Sequence, residues 1–502
     1  MGIRLMATAV ALGLSSLAGL YWLASQPEAQ RPSPQRERLR TAPSAPRVQP
    51  PLAYAPRAPS TASLPAQATA DPAAALQRLA VLSLGSPVDA VSIGDVTGDG
   101  RNDVVVSTHQ NAAGSGNSHD GDFKVSVFVQ QADGTLAAPL TAPFPGFLMH
   151  LENKSLALVD LNKDGLRDIV LAYGDGLYVF EGAAAGQLSG RAVPGFSSEV
   201  SALATMDVNR DGNADIAAFD GFRVRMFLGD GQGGLSLGYT FSTTPVGVTN
   251  LNSHMAAGDL NGDGLVDLAF YDGNNQGAIY LQTWAGLFEL WPYMFNPYPA
   301  VYFTAMAVAD FDADGDQDFL LATRQTDRTR PTSKLDLYPQ SHGQLQAPVR
   351  WGQYHVAASM IGADIGGDGR QDLIAVRSLP NENAVIGYSR QKPEGGFDTE
   401  VWFPLTRFMY STSPRGLAAG DFTGDGCTDI AVGSGSDLVL FKAQCEPPMT
   451  TGGRLPPELL VAPGGASAGA VSLQAPVVSQ GRANRAWRTS SSRTESHRTQ
   501  LR

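Results

Sequence analysis

The chain has 502 residues, 43% of them hydrophobic and 17% charged, with a net charge of −12. That length exceeds one small domain, and the acidity argues against nucleic acid, whose affinity rests on cationic contacts to phosphate. Two cysteines, Cys427 and Cys445, are too few for a disulfide framework and match no zinc spacing, so one bridge at most is available.

Leu5 to Leu23 is an apolar run behind Arg4, and residues 1–25 read as an export signal or an N-terminal membrane anchor. Ser16-Leu17-Ala18 has the small residues a signal peptidase accepts, whereas the whole run approaches the roughly 20 apolar residues that span a bilayer. No other stretch of the sequence is long and apolar enough to span. Residues 26–74, rich in Pro, Ala, Ser and Arg (RPSPQRERLRTAPSAPRVQPP), cannot bury enough apolar surface to offset their ordering entropy and read as a linker. Residues 447–502, ending in RANRAWRTSSSRTESHRTQLR, read as a disordered basic tail. The first 74 residues carry +4 and the last 56 carry +5, which leaves −21 on the middle. A segment that acidic repels itself unless something neutralises it.

Within that segment one pattern recurs seven times: Asp-x-x-x-Asp-Gly-x-x-Asp followed by apolar residues. The copies start at Asp95, Asp160, Asp207, Asp259, Asp310, Asp364 and Asp421, at intervals of 65, 47, 52, 51, 54 and 57 residues. Each follows a short small-or-apolar segment and precedes a run such as VVVS, IVLAYG or FLLATR, four to six residues long and rich in Val, Ile, Leu and Phe. These are buried strands, and a third, alternating strand (KVSVFVQ, RVRMFLG, KLDLYPQ) usually comes next. Units of about 50 residues with about four strands and almost no helical periodicity predict an all-β fold, a seven-bladed β-propeller of four-stranded blades over residues 75–446. The last repeat runs into Cys445-Glu-Pro-Pro without a fourth strand, while LAVLSLG, from Leu79 to Gly85, has no blade of its own. It is predicted to supply the missing strand and close the ring.

Aspartates at positions one, five and nine of each copy converge on one point only if the backbone turns sharply, which the glycine at position six permits. Hard oxygen ligands in such a loop select Ca2+, up to seven ions, one per blade. The carboxylate ligands are Asp95, Asp99, Asp103; Asp160, Asp164, Asp168; Asp207, Asp211, Asp215; Asp259, Asp263, Asp267; Asp310, Asp314, Asp318; Asp364, Asp368, Asp372; and Asp421, Asp425, Asp429. Position three adds Thr97, Asn162, Asn209, Asn261, Asp312 and Thr423, but Gly366 in the sixth copy offers no side-chain ligand, and water could substitute there. Position seven, free to vary as Arg101, Leu166, Asn213, Leu265, Asp316, Arg370 and Cys427, would donate its backbone carbonyl. Position twelve is always apolar, which excludes the EF-hand and its Glu ligand. Seven divalent ions would reduce the middle segment from −21 to −7. They are expected to stabilise the fold by linkage, with weak affinity suited to millimolar extracellular supply.

From roughly Leu79 to Cys445 these repeats resemble the FG-GAP or VCBS type, the unit of the integrin α-chain head and of many bacterial surface proteins. The resemblance implies that the calcium loop joins the first and second strands of each blade on one face of the propeller, and that partners engage the other face. It implies ligand roles for Asp95, Asp99 and Asp103 and their six counterparts. The Phe-Gly and Gly-Ala-Pro signatures of the family are poorly kept. Family membership specifies a scaffold better than a function. With Cys427 in the first loop of blade seven and Cys445 just beyond its third strand, a disulfide between them is expected in an exported chain.

The histidines (His109, His119, His150, His254, His342, His355, His497) show no metal-ligand spacing and read as loop residues. Gly465-Ala-Ser-Ala-Gly469 matches a nucleophile elbow but lies in the tail with no preceding strand, and Gly229-Asp-Gly-Gln-Gly-Gly234 matches a dinucleotide fingerprint but is followed by a strand, so it reads as a hairpin turn. Aromatic loops are expected opposite the calcium face. Trp291, Tyr293 and Tyr298 link blades four and five, Trp351, Tyr354 and His355 link five and six, and Trp402, Phe408 and Tyr410 precede blade seven. They could stack on sugars or anchor a protein, or simply pack between blades. Blade one carries a polar insertion from Thr108 to Asp122, a recognition element or decoration. The expected protein is a monomeric, exported, non-catalytic propeller in the periplasm or at the cell surface, touching membrane only through an N-terminal anchor and binding a protein or glycan. The alternatives are a polysaccharide lyase or hydrolase, and a purely structural envelope protein.

Overall fold

The computed structural model describes residues 75–111, 121–145, 155–173, 176–182, 186–195, 200–220, 222–243, 254–271, 277–295, 301–325, 332–378, 384–405 and 416–445. The leader, linker and tail of the sequence reading lie outside these residues, as do Tyr298, Phe408, Tyr410, His119, His150 and His497.

The described residues form seven antiparallel blades and no helix. Blade one is built from Val88–Gly94, Asp103–Asn111, Gly121–Phe128 and Leu140–Pro143, and blade two from Leu156–Val159, Asp168–Tyr173, Gly176–Phe180 and Gly190–Ala192. Blade three comprises Ala202–Met206, Asp215–Phe219, Arg223–Gly229 and Leu235–Ser242, and blade four His254–Gly258, Asp267–Tyr271, Gly277–Gln282 and Phe288–Phe295. Blades five and six share one seven-stranded sheet. Val301–Ala309, Asp318–Gln325 and Thr332–Tyr338 lead into the 15-residue strand Val349–Ala363. The first part of that strand pairs with blade five through Leu337↔Val349 to Thr332↔His355, and the second part with blade six through Val356↔Ser378 to Ala363↔Asp372. Asp372–Ser378, Ala384–Ser389 and Val401–Pro404 complete blade six.

Blade seven takes three strands from the C-terminal end, Leu417–Gly420, Asp429–Ser434 and Asp437–Ala443, and its outer strand, Leu76–Ser83, from the other end of the domain. The pairing runs from Leu76↔Ala443 to Ser83↔Asp437, so the ring is closed by hydrogen bonds between residues more than 350 positions apart. The unpartnered segment before the first repeat thus supplies the strand missing from the last, beginning three residues earlier than the sequence suggested.

The burial pattern explains why these short runs become strands. Inner strands such as Ala202–Met206, Asp215–Phe219 and His254–Gly258 are buried at every position, because both faces of a blade pack on neighbouring blades. Outer strands such as Leu76–Ser83 and Leu235–Ser242 are mostly exposed. The core is divided into seven clusters, and each cluster joins two adjacent blades. The closing seam packs Val88, Val91, Ile93, Val104, Val106 and Phe128 of blade one against Ala418, Phe422, Ala431, Leu438 and Leu440 of blade seven. No blade has a core of its own.

Several loop assignments are corrected. The insertion in blade one is shorter than its composition implied, because strand two continues to Asn111 and strand three starts at Gly121. His109, His254 and His355 lie in strands, while His342 occupies a tight hairpin turn with φ 55°. Trp291 and Tyr293 belong to the outer strand of blade four, Trp351, Tyr354 and His355 to the strand shared by blades five and six, and Trp402 to the outer strand of blade six. Alternating large side chains with small or polar ones suits the half-exposed outer strand of a blade as well as it suits a loop.

Candidate functional site

The seven aspartate loops each connect the first strand of a blade to the second, so all lie at one end of the ring. Their backbone geometry is uniform. The carboxylate at position one accepts the amide N–H of the position-six glycine in every loop, at 2.8–3.0 Å. The carboxylate at position five accepts the N–H of position seven in every loop, at 2.8–3.2 Å. Position six takes a left-handed φ, as the sequence implied, and so does position four. Gly98, Gly262, Gly367 and Gly424 stand at position four in four loops and Lys163, Arg210 and Ala313, with φ 59–64°, in the other three. The recurrent glycine at position four carried that signal in the sequence.

Position nine is set apart from the rest. Asp103, Asp168, Asp215, Asp267, Asp318, Asp372 and Asp429 are all fully buried. One oxygen of each accepts the N–H of position two in its own loop, at 2.8–3.3 Å. The other accepts an N–H just past or at the end of strand three, from Gln130, Gly182, Gly229, Gln282, Gln340, Gln391 or Ala443, at 2.8–3.0 Å. This aspartate pins the loop to the end of strand three of its own blade. Among the described residues, the trio of acidic groups whose ligand atoms all lie within 4.8 Å of one another is Asp310, Asp312 and Asp314, positions one, three and five of blade five. In blade five, then, the acidic groups of positions one, three and five lie together, while Asp318 at position nine is buried and held by backbone donors of its own blade.

Burial pushes the position-nine carboxyls up, to about 6 for Asp215 and Asp429, about 7 for Asp267 and Asp372 and about 8 for Asp318, and the acidic neighbours in each loop push the same way. Asp312 rises to about 7, through burial first and then the charges of Asp314 and Asp310. Such crowding is what a bound cation relieves. The donor sets of blades two to five, with Asn162, Asn209, Asn261 and Asp312 between the carboxylates of positions one and five, fit a hard divalent ion. In blade one the Arg101 guanidinium donates to Asp99, and in blade seven Lys442 Nζ lies 2.8 Å from Asp425. Both cations are partly exposed. Blade six differs from all of these and is treated separately below.

Most loops also touch the blade that follows. In blade one Asn102 Nδ2 donates to the Asp421 carbonyl of blade seven at 3.1 Å, and in blade two the Arg167 N–H donates to the Asp95 carbonyl. Asp259 N–H donates to Gln317 Oε1 of blade five at 2.8 Å. Glutamines after strand three reach back in the same way. Gln282, Gln340 and Gln391 donate through Nε2 to the carbonyls of Val208, Asp259 and Asp310 at 2.9–3.2 Å. The turn glycines that follow leave no room for a side chain: a Cβ on Gly134 would sit 2.3 Å from the Thr423 carbonyl oxygen, and one on Gly286 2.6 Å from that of Val208. The sequence reading passed over these residues, though a Gln at the end of strand three in blades one, four, five and six was visible.

Cys427, at position seven of the last loop, is bonded to Cys445, with Cα atoms 5.6 Å apart. Of the predicted ligand face, the side chains of Trp291, Trp351 and Trp402 are described. Trp351 packs edge-on against Phe397 at a ring distance of 4.5 Å, and Trp291 packs on the cluster between blades four and five. Trp402 is exposed on the rim, its indole N–H donating to Glu400 Oε2 at 2.8 Å, while Glu400 Oε1 holds the fully buried Arg377 at 2.8 Å. At the end of the ring away from the aspartate loops, His109 Nδ1 lies 2.5 Å from Asp89 Oδ1.

Seven-fold blade architecture with an aspartate loop between the first two strands of every blade defines a repeat propeller. The FG-GAP-like repeat family matches residues 160–218, 207–270, 259–321 and 343–432, together half of the chain, and the protein belongs to that family. No curated protein sequence matches the chain significantly. Among solved structures, an Agrocybe aegerita lectin described as recognising non-reducing terminal N-acetylglucosamine is 18% identical, with 64% of this chain and 81% of that one covered and a TM-score of 0.42. A Pseudomonas aeruginosa periplasmic gluconolactonase is 13% identical, covering 63% and 85%, TM-score 0.42. A Bacillus licheniformis rhamnogalacturonan lyase is 13% identical, covering 74% and 75%, TM-score 0.37. At these values the likenesses carry no information about what this chain binds.

Proposed function

We propose that the protein is an exported, calcium-stabilised β-propeller that binds a protein or carbohydrate partner without catalysis. The observation that carries the reading is the placement of the aspartate loops on the seams between blades, where most of them contact the blade that follows. Ions held there tie the ring together, and the end of the ring away from the loops is left for a partner. Such a protein is a rigid platform whose specificity lies in loops and edges, not in a catalytic pocket. A glycan array, and capture from the native envelope, each run with calcium and with chelator, test this. Calcium-dependent retention of one glycan class or one envelope protein is expected. Turnover of a polysaccharide without stable retention would replace the reading.

One observation favours that second reading. Asp89 Oδ1 lies 2.5 Å from His109 Nδ1 at the end of the ring away from the loops, and a carboxylate next to an imidazole is a pairing that general acid–base chemistry uses. New chain ends released from an acidic polysaccharide by the protein, and lost in His109→Asn, would establish a lyase or hydrolase.

A further inference from the structure

The loop of blade six departs from the other six at three positions. Position three is Gly366, where the others carry Thr, Asn or Asp. Position five, Asp368, takes two guanidinium groups on one oxygen: Arg390 donates to Asp368 Oδ2 through Nη2 at 2.8 Å and through Nε at 3.3 Å, and Arg370 donates to the same atom. Position nine, Asp372, accepts a side-chain hydrogen bond from Tyr388 Oη at 3.1 Å in addition to those from backbone N–H groups, where the matching residues of the other blades, Val127, Val179, Met226, Ile279, Leu337 and Leu440, have no hydroxyl.

Arg390 stands just after strand three, and the matching residues in blades one to five are Val129, Glu181, Leu228, Leu281 and Pro339. Its position relative to Gly366 is informative. A Cβ built on Gly366 would lie 3.6 Å from Asp368 Oδ2 and 3.8 Å from Arg390 Nε, so the guanidinium stands in the space towards which a position-three ligand would project. The resulting pair is enclosed. The Asp368 side chain is 4% exposed, against 29% for Asp99 and 31% for Asp425, the position-five carboxylates that meet a cation in blades one and seven. Blade seven has Lys442 in the place of Arg390, but an ammonium on a flexible stem can withdraw, and Thr423 is still present at position three. Arg390 is itself 21% exposed, but its guanidinium grips the enclosed Asp368 oxygen through two nitrogens and does not deprotonate, so it both satisfies the carboxylate and repels a second cation.

We propose that blade six uses Arg390 as a built-in cation in place of a divalent ion, so that its loop holds its shape without metal and the ring binds at most six ions. This rests on the calcium reading of the other loops. The consequence is local: blade six, already joined to blade five by the continuous strand Val349–Ala363, is the part of the ring whose loop does not loosen on chelation.

The test is the calcium count of the full chain by native mass spectrometry, in wild type, Asp263→Asn of blade four and Asp368→Asn of blade six. Asp263→Asn is expected to bind one ion fewer than wild type and Asp368→Asn the same number. A loss of one ion in both variants overturns the proposal while leaving the calcium reading intact. No bound calcium in any of the three chains removes the calcium reading and the proposal with it. If Asp368→Asn does not fold, the double variant Gly366→Asn, Arg390→Leu decides: a gain of one ion supports the exchange of cation, and an unchanged count overturns it.

Discussion

Asp318 shows how much a single side chain does in this architecture. Its two oxygens accept the N–H groups of Phe311, Asp312 and Gln340, so Asp318→Ala leaves three donors without this acceptor, two of them buried. The expected cost is about 2–5 kcal/mol, with a smaller loss for Asp318→Asn, which keeps one oxygen; urea denaturation of the three proteins checks both the size and the order. The same group sets a pH dependence. Its folded value of about 8, raised by burial and then by Asp312, lies well above that of an aspartate in an unfolded chain. The native state therefore holds the extra proton between pH 4 and 8, and stability falls as pH rises through that window. Asp215, Asp267, Asp372 and Asp429 act in the same direction. In chelator the melting temperature is expected to drop from pH 4 to pH 8, and calcium is expected to flatten the decline by favouring the ionised loops. A melting temperature that climbs across this range in chelator would contradict the burial of these carboxyls. At this scale the aspartates themselves were legible in the sequence, but their division of labour was not, because which carboxylate is buried depends on its bonding to the end of strand three, some 14 to 27 residues further along the chain.

At the scale of the element, the closing strand and the disulfide secure the two ends of the ring. Removing residues up to Ser83 would expose the edge of Asp437–Ala443 along its whole length. An uncovered strand edge is a template for pairing with another chain. The truncated protein is expected to melt at lower temperature and to self-associate, which thermal melting and light scattering would reveal; equal stability as a monomer would argue against the closure. The Cys427–Cys445 bond spans 18 residues, and its reduction is expected to cost about 3 kcal/mol, readable as a lower melting temperature in reductant that Cys445→Ser reproduces without it. The closing strand was legible because LAVLSLG had the pattern of a strand and no neighbours in sequence to pair with. The aromatic segments were misplaced for the opposite reason: mixed composition at the outer edge of a blade resembles a loop until its pairing partner is known.

For the whole molecule, stability is shared among seven seams, each with its own apolar cluster and most with a loop contact from the blade that follows. On the calcium reading proposed above, the ions would act on all of the occupied seams together. Chelation is expected to lower the melting temperature in a single transition, and an ion at 100 times its dissociation constant adds roughly 2.7 kcal/mol per site. Calorimetry across a calcium titration measures this, and a melting temperature independent of calcium would refute the structural role of the loops. The repeat determined the number of blades, the strand order and the chemistry of the loops by itself, because these follow from spacing and residue type within about 50 positions of chain. Only the tertiary structure decided which carboxylate is withdrawn into the seam, which glutamines lock blade to blade, and that an arginine fills the sixth loop. Those outcomes depend on contacts between residues distant in sequence and on burial, and neither is written in any single repeat.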